Sequence, residues 1–219
     1  MIKYLKIIKL QPIMKYVIII LNCNIPKHLH TANIQRNTWL KNEPNYYHII
    51  GDPSKCGDNK YIIDQPNKMI YTNTGDDYNS LPAKVITAFL AVQETMDVDY
   101  IFKTDDNQML QKPYEIKGLC KLLNKNIDYG GLVVKMNTHV SGLFTTHPEF
   151  PKNIILEGCA YCTGPFYILS NNALNNVLEK YEDICKRVVE DHAIGFYLEP
   201  KYSKNVFAFD TRKIFKEFT

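Results

Sequence analysis

Two short acidic stretches carry the side chains best suited to chemistry. In Tyr100-Ile101-Phe102-Lys103-Thr104-Asp105-Asp106-Asn107 an apolar run ends on two adjacent carboxylates and an amide. Two or three oxygen ligands at a strand end suit a hard divalent cation such as Mg²⁺ or Mn²⁺, which would in turn hold a diphosphate. Asp and Asn are also common turn formers, so a solvated turn is the competing reading. The apolar run favours the cation, because a buried strand holds its terminal carboxylates rigidly. The second stretch is Glu190-Asp191 in VVEDHAIGFYL. Acids at a helix start complement the dipole. A carboxylate there that faces a pocket is also placed to act as a general base. His192, the next residue, is expected to be exposed on the helix.

Two further groups have both a structural and a chemical reading. Arg36-Asn37-Thr38-Trp39 contains the only Trp of the chain and one of its three Arg. Either Trp39 packs in the core with Arg36 snorkelling outward, or Arg36 meets a phosphate or a base. Cys159-Ala160-Tyr161-Cys162 is a lone CxxC with no partner pair at zinc spacing. It reads as buried thiols, with a redox or metal role as the alternative.

The elements that must position these residues follow from pattern. KYVIIILNC (15–23) is a β-branched apolar run of strand length, suited to burial on both faces. A Pro-containing loop over 24–32 and a helix from Thr31 to Lys41, with Trp39 on its inner face, come next. NYYHIIGD (45–52) is a second strand, and 53–80 is polar with the short strand-like pieces YIID and KMIY. LPAKVITAFLAVQETM (81–96) has helical periodicity, with Pro82 in the first turn. DYIFKT (99–104) is the next strand. Residues 113–125 read as a helix, 129–136 as a strand and 161–170 as a strand. Asn171 or Asn172 caps a helix running through Tyr181 or beyond. A short helix from Glu190 to Leu198, a strand over 206–210 and a basic tail complete the chain. Strands alternating with helices predict an α/β fold with a mainly parallel sheet, in one domain over 1–219. Ligands of such sheets bind at the carboxyl ends of the strands, where Asp105-Asp106-Asn107 falls.

Composition narrows the options. The chain has 219 residues, 45% hydrophobic and 22% charged, with a net charge of +3. That is a globular composition. A mild positive balance without a basic, aromatic-interleaved stripe argues against nucleic acid and suits a phosphate-bearing small ligand. GxGxxG and GxxxxGK[ST] are both absent, against a dinucleotide oxidoreductase and a P-loop NTPase. The opening 21 residues are interrupted by Lys3, Lys6, Lys9, Gln11, Pro12 and Lys15. They fall short of the roughly 20 apolar residues of a spanning helix and read as neither an anchor nor an export signal. A cytoplasmic protein is therefore expected, and disulfides are not. Abundant Asn, Lys, Ile and Tyr fit an AT-rich genome, such as that of a large DNA virus.

Taken in order, the motifs resemble the β-1,3-glycosyltransferases, which include β-1,3-galactosyltransferases, β-1,3-N-acetylglucosaminyltransferases and Fringe. The matching segments are Arg36-Asn37-Thr38-Trp39; Asp77, Tyr78, Leu81 and Lys84 of DDYNSLPAKV; Lys103-Thr104-Asp105-Asp106-Asn107; Tyr161-Cys162-Thr163-Gly164-Pro165-Phe166-Tyr167; and Glu190-Asp191-His192-Ala193-Ile194-Gly195. Each is modest alone, but five in one order over residues 36–195 are specific.

The resemblance implies a GT-A-type nucleotide-sugar-binding fold. It implies transfer of a sugar from a UDP-sugar to a glycan or glycoprotein hydroxyl, with inversion and a β-1,3 linkage. It assigns Asp191 as the base. Arg36, Asp77, Lys84, Asp105 and Asp106 become donor contacts, and Trp39, Gly164, Tyr167 and Glu190 line the substrate pocket. Mn²⁺ or Mg²⁺ would sit on the diphosphate.

Two departures bear on the metal. The last acid of the cluster is Asn107, a neutral and weaker ligand. The family's His near the C-terminus has no counterpart, since no His lies beyond His192; Asp210 stands in the matching place. Asp106, Asn107 and Asp210 are thus the expected metal set. The opposed reading is a lost metal site, in a metal-independent enzyme or in a non-catalytic module that binds nucleotide-sugar or glycan. An acid-cluster phosphohydrolase is a distant third.

Overall fold

The computed structural model describes residues 14–112, 115–123, 127–203 and 206–218. Most of the opening stretch read for an anchor lies outside the described residues, as do the ends of the helix expected over 113–125.

In chain order the elements are β1 (Tyr16–Leu21), α1 (Pro26–Asn37), β2 (Tyr46–Gly51), α2 (Pro53–Cys56), β3 (Tyr61–Asp64), β4 (Met69–Thr72), α3 (Leu81–Thr95), β5 (Tyr100–Asp105), β6 (Gln108–Leu110), α4 (Glu115–Leu123), β7 (Tyr129–Met136), β8 (His139–Val140), β9 (Ile155–Leu156), β10 (Cys159–Ser170), α5 (Asn171–Leu178), α6 (Tyr181–Cys185), α7 (Glu190–Tyr197), α8 (Pro200–Ser203), β11 (Phe207–Ala208) and β12 (Phe215–Glu217). Eight strands form the central sheet in the order β11-β7-β10-β5-β1-β2-β4-β3. β10 and β3 run against the other six.

β1 explains the two-sided core. Its continuous apolar run leaves Val17 and Ile19 on one face, with Ile49 of β2 and with Val85, Phe89, Val92, Leu174 and Ile194 of the helical layer α3, α5 and α7. Ile18 and Ile20 face the other side, with Phe102, Leu119, Phe166 and Phe215. A strand with both faces buried needs no polar alternation, so it reads as an unbroken hydrophobic segment. The mostly parallel α/β architecture is the one the element pattern predicts.

Some boundaries differ from the sequence reading. α1 begins at Pro26, inside the expected loop, because Pro fits the first helical turn. Only Ala32 and Gln35 of α1 are buried, so it shows no apolar stripe to mark it. It ends at Asn37, which leaves Trp39 beyond the helix. Ser170, not Asn171 or Asn172, caps α5 by accepting from the Ala173 N–H, and α5 stops at Leu178 before the separate α6. The tail after 210 is not a simple basic end: Phe215–Glu217 pairs antiparallel with β6, about 100 residues earlier in the chain. No helix among the described residues is long and apolar enough to cross a membrane.

Candidate functional site

The site grows out of the carboxyl end of β5. Strand alternation puts Lys103 and Asp105 on the same face. Lys103 is buried in an otherwise apolar strand, so its ammonium must find partners inside. Its Nζ donates to Asp105 Oδ1 at 2.8 Å and to the Gly164 carbonyl at 2.7 Å, and lies 3.2 Å from Glu190 Oε2. The ammonium also stands 5.5 Å from the centre of the Tyr167 ring.

β10 passes antiparallel beside β5, with Tyr167 opposite Lys103, and its register shifts between Cys162 and Tyr167. That irregularity turns the Gly164 backbone inward. The Gly164 N–H donates to Asp191 Oδ2 at 2.8 Å, and Tyr167 Oη donates to Glu190 Oε1 at 2.5 Å. Both acids open α7, which sits directly on β10. A Cβ on Gly195 would come 2.3 Å from Tyr161 Cβ, so only glycine lets the helix seat this closely. His192, expected on the surface, is buried and its Nε2 lies 2.8 Å from the Glu157 carbonyl. The short helix is covered on the side the sequence reading left open.

The charges are out of balance: one buried ammonium faces Asp105, Glu190 and Asp191. Burial raises the Glu190 carboxyl to about 7; Lys103 pulls it down and Asp191 pushes it up further. Burial also raises Asp191, against Lys103 and the N–H groups of Gly164 and His192. Burial alone would lower Lys103, but Asp105, Glu190 and Asp191 hold it above its ordinary range. A half-buried carboxylate with a raised pKa, fixed by two backbone N–H groups, has the properties of a general base.

Asp106 points the other way. Its Oδ2 meets His28 Nδ1 at 2.8 Å and Thr31 Oγ1 at 2.9 Å, both on α1. Burial raises its pKa, and His28 opposes the rise. Gln35 ties α1 to the same strand end, donating to the carbonyls of Asp105 and Gln108. Asn107 is used at both amide atoms: Nδ2 donates to Glu217 Oε1 at 2.7 Å, and Oδ1 accepts from Gln108 Nε2 at 3.0 Å. Asp210 holds its own neighbour, accepting from Arg212 Nε at 2.8 Å. Asp106, Asn107 and Asp210 therefore each hold separate partners in this arrangement. Among the described residues no three His, Cys, Asp or Glu side chains gather where they could hold a metal ion. As arranged, the expected set does not fit Mn²⁺ or Mg²⁺.

A cavity of about 380 Å³ opens at the ends of β1, β2 and β4, walled by Asn22, Asn24, Arg36, Asp52, Lys55 and Tyr71 among others. Asn22 Nδ2 and Arg36 Nε are buried there without partners. The Arg36 fork end donates to Met69 Sδ at 2.9 Å. Lys84 does not reach this cavity wall. It is buried and donates to the Asn22 carbonyl and to Asp76 Oδ1, each at 2.7 Å. Asp76 also accepts from the N–H groups of Asn24 and Gly51, so the pair fixes the loop after β1. Asp77, singled out by motif, caps a 3-10 turn by accepting from the Ser80 N–H. Trp39 lies under the opposite face, edge-on to Phe215 at 6.0 Å.

The structure thus brings Asp105, Gly164, Tyr167, Glu190 and Asp191 together around Lys103. Arg36, Lys84 and Asp77 sit near the β1 end. Asn107, Asp210 and Trp39 belong to the β6–β12 side. The sequence reading gave no role to Lys103 itself, Asp76, His28 or Lys55. A lysine inside an apolar strand was the available signal for Lys103, since such a charge requires buried partners. The six cysteines are free thiols; burial pushes Cys162 up to about 12 and Cys159 to about 11, away from the thiolate that redox or metal chemistry needs.

In open α/β sheets ligands bind at the carboxyl ends of the strands, where this acid centre and the polar cavity lie. The family model described as Galactosyltransferase matches residues 31–201. The chain belongs to this galactosyltransferase family and is a glycosyltransferase with a mostly parallel α/β sheet, in line with the resemblance carried by its motifs. Among solved structures it is similar to a glycosyltransferase involved in the glycosylation of the major capsid of PBCV-1, with 13% identity, a TM-score of 0.48, and coverage of 89% of this chain and 82% of that one. It is also similar to CMP:2-keto-3-deoxy-manno-octonic acid synthetase complexed with CTP, with 12% identity, a TM-score of 0.45, and coverage of 90% and 89%. Likenesses at this level carry no argument about substrate. No curated protein sequence matches the chain.

Proposed function

We propose that the chain is an inverting glycosyltransferase that moves a sugar from a UDP-sugar to a hydroxyl of a glycan or glycoprotein, forming a β-1,3 linkage. The observation that carries this reading is the placement of Asp191. Its carboxylate is anchored by the Gly164 and His192 N–H groups, stands beside Lys103 at the β5 end, and has a raised pKa. The acceptor oxygen bonds to the anomeric carbon as the bond from that carbon to the UDP oxygen breaks, and the acceptor proton passes to Asp191. Inversion requires only this one carboxylate behind the acceptor. Glu190 and Lys103 hold the start of α7 in place. On the donor side, Asn22, Arg36 and Lys55 line the cavity and supply donors for a nucleoside diphosphate. No step is assigned to a metal ion.

The commitment of Asn107 and Asp210 to Glu217 and Arg212 favours a second reading, a module that binds nucleotide-sugar without turnover. Thermal unfolding with increasing UDP, with and without Mn²⁺, followed by a transfer assay, tests both. Binding to the native state raises apparent stability as RT ln(1 + [L]/Kd). The proposal expects a UDP-dependent rise in Tm that Arg36→Ala diminishes, followed by sugar transfer. A shift indifferent to Mn²⁺ would match the separately bonded side chains; a shift that grows with Mn²⁺ would mean that they turn to make a cation site. Binding without transfer favours the non-catalytic module. No shift overturns both.

A further inference from the structure

We propose that Tyr78, His147 and Phe150 form a shelf that seats the apolar face of a pyranose ring at the mouth of the acid centre. This inference rests on the nucleotide-sugar reading and adds a sugar subsite to it. Tyr78 lies in the 3-10 turn that Asp77 caps, directly before α3. The segment between β8 and β9 folds over that turn, and Asn79 Nδ2 donates to the Glu149 carbonyl at 3.0 Å. Three rings then meet, from parts of the chain about 70 residues apart. Tyr78 is 4.6 Å from His147 and 5.8 Å from Phe150, and His147 is 5.7 Å from Phe150, centre to centre.

The shelf has a floor and an open side. Phe150 is 7% exposed, whereas Tyr78 is 44% exposed. Tyr78 is the one exposed aromatic side chain among the described residues. A pyranose carries weakly positive C–H groups on one face, which meet the negative face of an aromatic ring. Its hydroxyl edge needs acceptors and donors at the rim. His147 and Glu149 supply them, 3.6 Å apart and each more than a third exposed. Position links the shelf to the chemistry. Asp76, two residues before Tyr78, accepts from the Asn24 N–H in the loop after β1, and the Asp106 N–H donates to the Leu21 carbonyl at the end of β1, so the Tyr78 turn sits at the same strand ends as the acidic pair. The Asn79 bond holds the loop before any ligand arrives, which lowers the ordering cost of binding.

The pyranose is either the donor sugar or the acceptor, and saturation-transfer NMR separates the two. Irradiation of aromatic protons in the full chain is read out on UDP-galactose, and on methyl β-D-galactopyranoside in the presence of UDP. Transfer to the galactose ring of UDP-galactose marks the donor; transfer to the methyl galactoside marks the acceptor. Tyr78→Ala removes the ring signal and raises the Kd of that ligand about fivefold to tenfold, while the uridine signal persists. Tyr78→Phe keeps both, and His147→Ala weakens the ring signal alone. An unchanged ring signal in Tyr78→Ala, or a wild-type chain that shows uridine but no pyranose transfer, overturns the shelf and leaves nucleotide binding intact. Loss of the uridine signal in the wild type overturns the nucleotide-sugar reading and the shelf with it.

Discussion

Two acidic regions of this chain, both expected from motif to serve one site, are built in opposite ways. Around Lys103 one partner, Asp105, is two residues away, and the others come from distant parts of the chain. Gly164 lies 61 residues from Lys103, and Asp191 lies 27 residues from Gly164. The charges there are buried and interlocked across β5, β10 and α7. At the β6–β12 edge, Asp210 pairs with Arg212 two residues away, in an exposed setting. Asn107 spends its amide on Glu217 and Gln108. Burial with long-range partners fixes a carboxylate to within a bond length, and leaves a residual charge that shifts pKa values. Pairing at the surface, local at Asp210 or long-range from Asn107 to Glu217, fixes less, and Arg212 only holds the Asp210 carboxyl below its ordinary range. The first region has the character of a reaction centre. The second lies at the separate two-stranded ladder of β6 and β12.

That contrast can be broken most severely at Lys103. Lys103→Met leaves Asp105 and Glu190 without their buried cation, at a cost of about 3–5 kcal/mol in unfolding free energy. Urea denaturation reads this directly, and an unchanged midpoint would mean that the ammonium is not the hub. Gly195→Ala comes next. The added methyl meets Tyr161, so α7 must shift, with a loss of about 1–3 kcal/mol and a larger proportional fall in transfer rate. Retained activity would show that Asp191 does not depend on the seat of α7 on β10.

The Glu190 carboxyl gives a finer test through pH. Its pKa is raised from 4.5 to about 7 on folding. The folded chain therefore holds a proton that the unfolded chain releases, so this contribution to stability is full on the acid side and fades as pH rises from about 4.5 to about 7. Glu190→Gln flattens the slope of Tm against pH in that window; an identical slope would remove Glu190 as its source. The smallest effect belongs to the other region. Asp210→Asn leaves Tm and transfer at wild-type values, with or without Mn²⁺, because the side chain is half-exposed and only the nearby Arg212 depends on it. A loss of Mn²⁺-dependent activity would instead restore Asp210 to a metal set.

Much of this frame was legible in the residues themselves. The apolar runs of β1, β2 and β5 and the periodic α3 show their strands and helix, because two-sided burial writes itself into composition. α1 escaped because its buried face is only Ala32 and Gln35, and because Pro26 looks like a breaker until it is seen in a first turn. β12 escaped because nothing local in Phe215–Glu217 announces a partner at Gln108–Leu110. The motif reading placed Asp191, Glu190, Gly164 and Asp105 in one neighbourhood. It favoured Asp77 over Asp76, although Asp76 is the one that reaches Lys84, and adjacent residues of the same type differ only in tertiary direction. It also joined Asp106, Asn107 and Asp210 by resemblance, and here they bond to His28 and Thr31, to Glu217 and Gln108, and to Arg212.

The measurement that tests the account most directly is sugar transfer by Asp191→Asn beside UDP binding by the same variant. The amide keeps its size and its acceptor toward the Gly164 N–H but cannot take a proton. Transfer from a UDP-sugar should fall about 10²- to 10⁴-fold while the UDP-induced rise in Tm stays at the wild-type value. In the wild type, the acid limb of kcat/KM against pH should lie above the ordinary carboxylate range, because burial raises Asp191. Wild-type transfer by the variant would contradict the account and remove Asp191 as the base.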